Sequence, residues 1–311
     1  MPAGPEVWPM LALLLAGAFG LTIPRWSDHL PPQVAARVLL GCSALVAAAT
    51  AVILVMVALP VAGRSDVLAD GRWSDVVFKQ HSTVEVSIGA VSLLCLCASV
   101  ASTVREVRRQ RRSVAAVRAF RRRLGPAAGG LIVLPTDERD ALAIDGDTIL
   151  LTRGLIRSLN AEQRRAVLAH ERAHLSHHHD RYTRAASVLA AANPLLFRLP
   201  VAVSYLVERW ADEEAAQASS RTAVAEALEL AARKPGRARF PHHQSVALAA
   251  ALVAVERRIA VLRMPLSPVR PAFMLPPVVI SAAAVIIALV LTERTMDLFQ
   301  LAMIVRRATG R

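Results

Sequence analysis

Two histidines four residues apart, with a glutamate beside the first, form the run His170-Glu171-Arg172-Ala173-His174. On a helix, positions i and i+4 stack one turn apart on the same face, so both imidazoles can reach a single Zn²⁺. The adjacent glutamate can then polarise a water on that metal and shuttle its proton. The chemistry implied is metal-assisted hydrolysis of a peptide bond, with His170 and His174 as ligands and Glu171 as general base.

A catalytic zinc takes three protein ligands and keeps one open position. Two candidates compete for the third place. Glu208-Arg209-Trp210-Ala211-Asp212 sets two acids one helical turn apart. Glu208 can bind metal there while Asp212 accepts a hydrogen bond from a ligand imidazole. Asp180 instead stands where an H-E-x-x-H-x-x-G-x-x-H layout places its third ligand. That layout turns the chain at a glycine, and here the position is His177. The helix is therefore expected to run on and Asp180 to point away, which favours Glu208.

The neighbouring side chains have plainer readings. His177, His178 and His179 could be extra ligands, since His170, His174 and His178 share one helical stripe, yet such a tail more often caps a helix C-terminus or faces water. No role is assigned to His177, His178, His179 or Asp180. Glu213 and Glu214 read as the solvated face of their helix. His242 and His243 follow Pro241 in an expected loop and read as surface residues, with steadying of an oxyanion as the alternative.

The elements that must position these groups are legible in outline. Asn160 and Gln163 fit a capping box, and nothing from there to His179 breaks a helix. Leu131–Leu134, Ala141–Ile144 and Thr148–Thr152 read as short strands, with Asp145-Gly146-Asp147 a turn between the last two. Helical patterns follow over 161–179, 182–192, 201–218, 221–233 and 245–263, with breaks at Asn193-Pro194 and Lys234-Pro235-Gly236.

A chain of 311 residues that is 54% hydrophobic, with mean hydropathy +0.42, is too apolar for an ordinary soluble domain. Its apolar residues gather into four expected spans, at about 7–23, 38–62, 86–104 and 272–291. The first is short and interrupted by Pro9, and it lacks the basic start of a signal peptide. Nine arginines between Arg105 and Arg123, against the single acid Glu106, mark the cytoplasmic side. The 64–85 loop and both termini then lie outside, although the tail carries Arg294, Arg306, Arg307 and Arg311.

The expected organisation is a three-span membrane region (1–104), a basic juxtamembrane linker (105–130), a cytoplasmic domain (131–270), and a fourth span with a short tail (271–311). The fold class is mainly α, with an α+β catalytic domain on a four-span membrane protein. The +13 charge is almost all arginine, without any nucleic-acid-binding signature, so the bilayer is the expected partner and nucleic acid is not. Cys42, Cys95 and Cys97 fall in expected spans and imply no disulfide.

The order of strand pair, Thr152-Arg153-Gly154-Leu155-Ile156, H-E-x-x-H, Asn193-Pro194 and Glu208-x-x-Ala-Asp212 resembles integral-membrane gluzincin peptidases. It is most similar to the penicillin-sensor and antirepressor type (BlaR/MecR-like), with the heat-shock membrane peptidase and CaaX-prenyl protease group a near relative. The resemblance covers roughly residues 130–262 and the span layout. It implies one Zn²⁺ held by His170, His174 and Glu208, Glu171 as general base and Asp212 behind a ligand histidine. It further implies a bacterial inner-membrane endopeptidase in signal transduction, cleaving a cytoplasmic protein such as a winged-helix repressor. Membrane-protein quality control, or an inactive sensor or scaffold, are the alternatives.

Two departures bear on this. Penicillin sensors follow their last span with a large extracellular domain, whereas here about 20 residues follow. Those families also commonly place an Asp five residues after the second histidine, where this chain has His179.

Overall fold

The computed structural model describes residues 7–26, 30–64, 83–123, 130–144, 148–232, 245–264 and 271–309. These residues are mainly helical, with one small sheet. Helices α1 (Val7–Trp26), α2 (Pro32–Gly63) and α3 (Thr83–Arg123) come first. Strands β1 (Leu131–Leu134), β2 (Ala141–Ile144) and β3 (Thr148–Thr152) follow, in the expected places. Next come α4 (Arg153–Ser158), α5 (Ala161–Ser176), α6 (His179–Ala192), a 3₁₀ turn (Pro194–Leu196) and α7 (Leu199–Ala218). After α8 (Arg221–Ala232) and α9 (Ser245–Arg263), a second 3₁₀ turn leads into α10 (Leu275–Thr309). The Asp145–Asp147 turn, the Lys234-Pro235-Gly236 break, His242, His243 and most of the 64–85 loop lie outside the described residues.

Among the described residues, three helical stretches are long and apolar enough to cross a membrane: Pro32–Val61, Val86–Arg123 and Ala272–Thr309. The first expected span forms α1, whose apolar run Trp8–Ile23 is shorter. The Arg-rich stretch continues α3 without a break. At 41 residues this helix is about 60 Å long, roughly twice a hydrocarbon core. Its far half docks on the catalytic region. Gln110 Nε2 donates to the Arg184 carbonyl at 3.1 Å, and Arg121 Nε donates to Thr148 Oγ1 at 2.8 Å.

Strand β3 lies between a parallel β1 and an antiparallel β2 and is buried along its whole length. Gly154, just after β3, must be glycine, because a Cβ there would sit 2.2 Å from the Asp137 carbonyl oxygen.

One apolar core joins α1 and α2 to α7 and the turn before it. Phe19 and Ile23 of α1, Leu39 and Val46 of α2, Leu196 of the turn, and Leu199, Val203 and Leu206 of α7 are all buried in it. Gly20 allows the closest approach, since a Cβ on it would meet the Leu195 carbonyl oxygen at 1.8 Å.

The expected helix over 161–179 stops at Ser176, and the next begins at His179 instead of residue 182. His177 caps the first helix, its N–H reaching the Ala173 carbonyl. His178 takes the left-handed conformation, φ 52° and ψ 47°. A non-glycine residue tolerates this at some cost, so the sequence carries no breaker signal there.

Candidate metal centre

Helix α5 starts with the expected capping box. Gln163 N donates to Asn160 Oδ1 at 2.9 Å, and Asn160 N donates to Gln163 Oε1 at 3.0 Å. Ala166 and Ala173 bury its inner face, and α7 packs alongside through Ala211 and Ala215. Small residues at this seam let the two helices approach closely. The approach brings H-E-x-x-H on one helix against Glu208 and Asp212 on the other.

His170 Nε2 lies 3.1 Å from His174 Nε2 and 3.5 Å from Glu208 Oε2, while His174 Nε2 lies 3.6 Å from Glu208 Oε1. Four-coordinate zinc with bonds of 2.0–2.1 Å needs donor atoms about 3.3 Å apart. Two imidazole nitrogens and one carboxylate at these spacings fit that requirement. Among the described residues, these three form the group able to hold a metal ion.

Behind His170, Nδ1 meets Asp212 Oδ1 at 3.1 Å, so with Nε2 turned to a metal the Nδ1–H donates to the carboxylate. Asp212 is itself 2% exposed. Arg258 of α9 grips it with two bonds, Nε to Oδ2 and Nη2 to Oδ1, both 2.7 Å. A third contact runs from Arg258 Nη1 to Glu208 Oε2 at 2.9 Å. The buried guanidinium thus holds both acids of the second motif.

Charge follows from this arrangement. Burial opposes a proton on His170, but hydrogen bonds to Asp212 and Glu208 outweigh it and lift the pKa to about 9. His174 is driven down to about 4, chiefly by burial. Burial would raise Glu208 and Asp212, yet His170 and Arg258 hold both below the usual carboxylate range. Glu171 moves the other way. Burial raises it, and only part is offset by His170 and by a backbone hydrogen bond from Ala143.

His170, Glu171, Glu208, Asp212 and Arg258 open on a cavity of about 310 Å³. Its floor is apolar, with Leu155, Val167, Val224, Ala227 and Leu228. Strand β2 contributes Ala141 to the rim and lies at the edge of the sheet.

The other singled-out residues fall elsewhere. Asp180 is exposed and ion-paired to Arg184. It points away as expected, although for a different reason, since the helix ends before it. His178 is exposed, so the helical stripe through His170 and His174 does not extend to it. His177 stacks on Trp210 at 4.6 Å and meets Glu214 at 3.2 Å. Glu213 bonds Arg221 at 2.6 Å. Both glutamates are half-buried and paired, in place of the solvated face expected. His179 is 1% exposed, with Nδ1 3.0 Å from His174 Nδ1. Burial holds its pKa down at about 3.

Two site residues escape the sequence reading. Arg258 lies 46 residues beyond Asp212 in an arginine-rich chain, and nothing local marks it as buried. His179 follows a helix break that the sequence does not announce.

The model of peptidase family M48 matches residues 101–240, a range that contains both motifs and ends before Arg258. No curated protein and no solved structure matches the chain. The family match, together with the three clustered ligand groups, supports a metallopeptidase; three long apolar helices suggest a membrane protein.

Proposed function

We propose that this protein is a membrane-anchored zinc endopeptidase whose catalytic region acts at the cytoplasmic face. The observation that carries the reading is the triad of His170, His174 and Glu208 at metal-ligand spacing, with Glu171 lining one cavity together with His170 and Glu208. Zinc bound there would lower the pKa of a water to about 7 and polarise the scissile carbonyl.

The protein's own residues do the rest. Glu171, its pKa raised by burial, takes the proton of the attacking water and returns it to the leaving amine nitrogen. Asp212 fixes the His170 tautomer, and Arg258 holds Asp212 and Glu208 in place. The apolar floor takes one apolar side chain of the substrate beside the cleaved bond. Helix α1 serves as a fourth span, so that both termini lie opposite the catalytic region.

The substrate is a cytoplasmic protein, and the resemblance to antirepressor peptidases favours a winged-helix repressor. The test is a strain carrying Glu171→Gln. Accumulation of an intact repressor supports regulated proteolysis. Accumulation of misfolded membrane proteins would move the function to quality control, and accumulation of neither would remove the peptidase reading.

A further inference from the structure

His179 is a buried polar group beside the site that the proposed chemistry leaves unused. The left-handed backbone at His178 breaks the helix between α5 and α6 and brings the first residue of α6 against His174 at the end of α5. There the His179 ring stands edge-on to His174, with centroids 4.8 Å apart and planes at 88°. The Trp210 ring lies 4.8 Å away on another side, and Tyr182 closes a third at 6.5 Å.

The protons in this pair can be assigned from the geometry. His174 turns Nε2 toward His170 and Glu208. An imidazole offering its lone pair at Nε2 carries its proton on Nδ1. That N–H faces His179 Nδ1 at 3.0 Å, which must then be the bare nitrogen. The His179 proton is therefore on Nε2, which is buried with no hydrogen-bond partner among the described residues. An apolar side chain would fill the same space without stranding a donor. What its Nδ1 accepts accounts for a histidine here.

We propose that His179 is a positioning residue that accepts the Nδ1–H of His174 and so fixes the tautomer and ring angle with which His174 faces the metal. The proposal rests on the reading of His174 as a ligand. It makes the two imidazoles unequal. His170 is backed by a carboxylate held by Arg258, whereas His174 is backed by a neutral ring. No second negative charge is added behind the ligand set, which leaves a bound cation more electrophilic.

The experiment uses the full chain in lipid nanodiscs, with His179→Leu, His179→Asn, His179→Gln and His174→Ala. Zinc affinity is read by chelator competition, and ligand geometry by the visible absorption of the Co²⁺-substituted protein. An Asn oxygen reaches the place of Nδ1, whereas a Gln oxygen reaches that of Nε2. His179→Leu and His179→Gln are expected to weaken zinc by about 10- to 100-fold and alter the Co²⁺ spectrum. His179→Asn should restore both. Wild-type affinity and spectrum in folded His179→Leu would overturn the proposal. Equal affinities for the Asn and Gln variants would do so even if the Leu variant does not fold. Zinc retained by His174→Ala would instead overturn the ligand reading beneath it.

Discussion

Asn193 Nδ2 donates to Thr50 Oγ1 across a buried 3.1 Å, tying the turn after α6 to α2. The same Asn accepts from Leu195 N at 3.1 Å through Oδ1, so one side chain caps the turn and binds α2. This bond and the shared apolar core make the catalytic helices and the first two helices one packed unit.

The coupling between Asn193 and Thr50 should therefore be measurable. In a double-mutant cycle with Asn193→Ala and Thr50→Val, the interaction energy is expected to be about 1 kcal/mol. Asn193→Ala alone should cost more than Thr50→Val alone, because it also removes the turn cap. Denaturant unfolding in mixed micelles gives these values, and simple additivity of the two single variants would count against the bond.

Arg258 should matter for both folding and metal. Arg258→Leu strands Asp212, and losing one partner of a buried pair costs about 3–5 kcal/mol. Arg258→Lys keeps the charge but not the two-pronged grip, so it should fold better while binding zinc about 10- to 100-fold more weakly than wild type. Unchanged zinc affinity in Arg258→Lys would show that the grip on Glu208 and Asp212 is not needed to order the ligands.

Metal binding should release protons. Without metal, His170 titrates at about 9 and is therefore mostly protonated at neutral pH, whereas His174, at about 4, is already neutral. Zinc requires both nitrogens bare, so near pH 6, below the pKa of about 7 of a zinc-bound water, about one proton should leave per zinc bound. Calorimetry in buffers of different ionisation enthalpy counts it. No buffer dependence would mean that His170 is neutral beforehand.

What was legible in the chain follows physical range. The capping box at Asn160 and Gln163 uses residues three apart, and the three strands are short apolar runs bounded by turn residues; all appear where expected. The convergence of His170, His174 and Glu208 was readable because each motif needs only one helical turn, and a metal supplies the reason for the two to meet. The helix break at His177 and His178 was not readable, because no glycine or proline marks it. Arg258 was hidden by distance along the chain and by composition. With 37 basic residues, one that is buried looks like every other.

Gly20 offers a test of the packing between α1 and the catalytic region. Gly20→Ala places a methyl against the Leu195 backbone and should destabilise the protein by about 1–3 kcal/mol, although alanine is the better helix former. Increased stability in Gly20→Ala would mean that α1 does not pack on this turn.

The central claim is that one metal bridges two helices through His170, His174 and Glu208. The direct measurement is zinc content per chain, by mass spectrometry of the metal, in wild type, Glu208→Ala and Glu171→Gln. The account predicts about one zinc in wild type, almost none in Glu208→Ala, and about one in a proteolytically dead Glu171→Gln. A full complement of zinc in folded Glu208→Ala would contradict it.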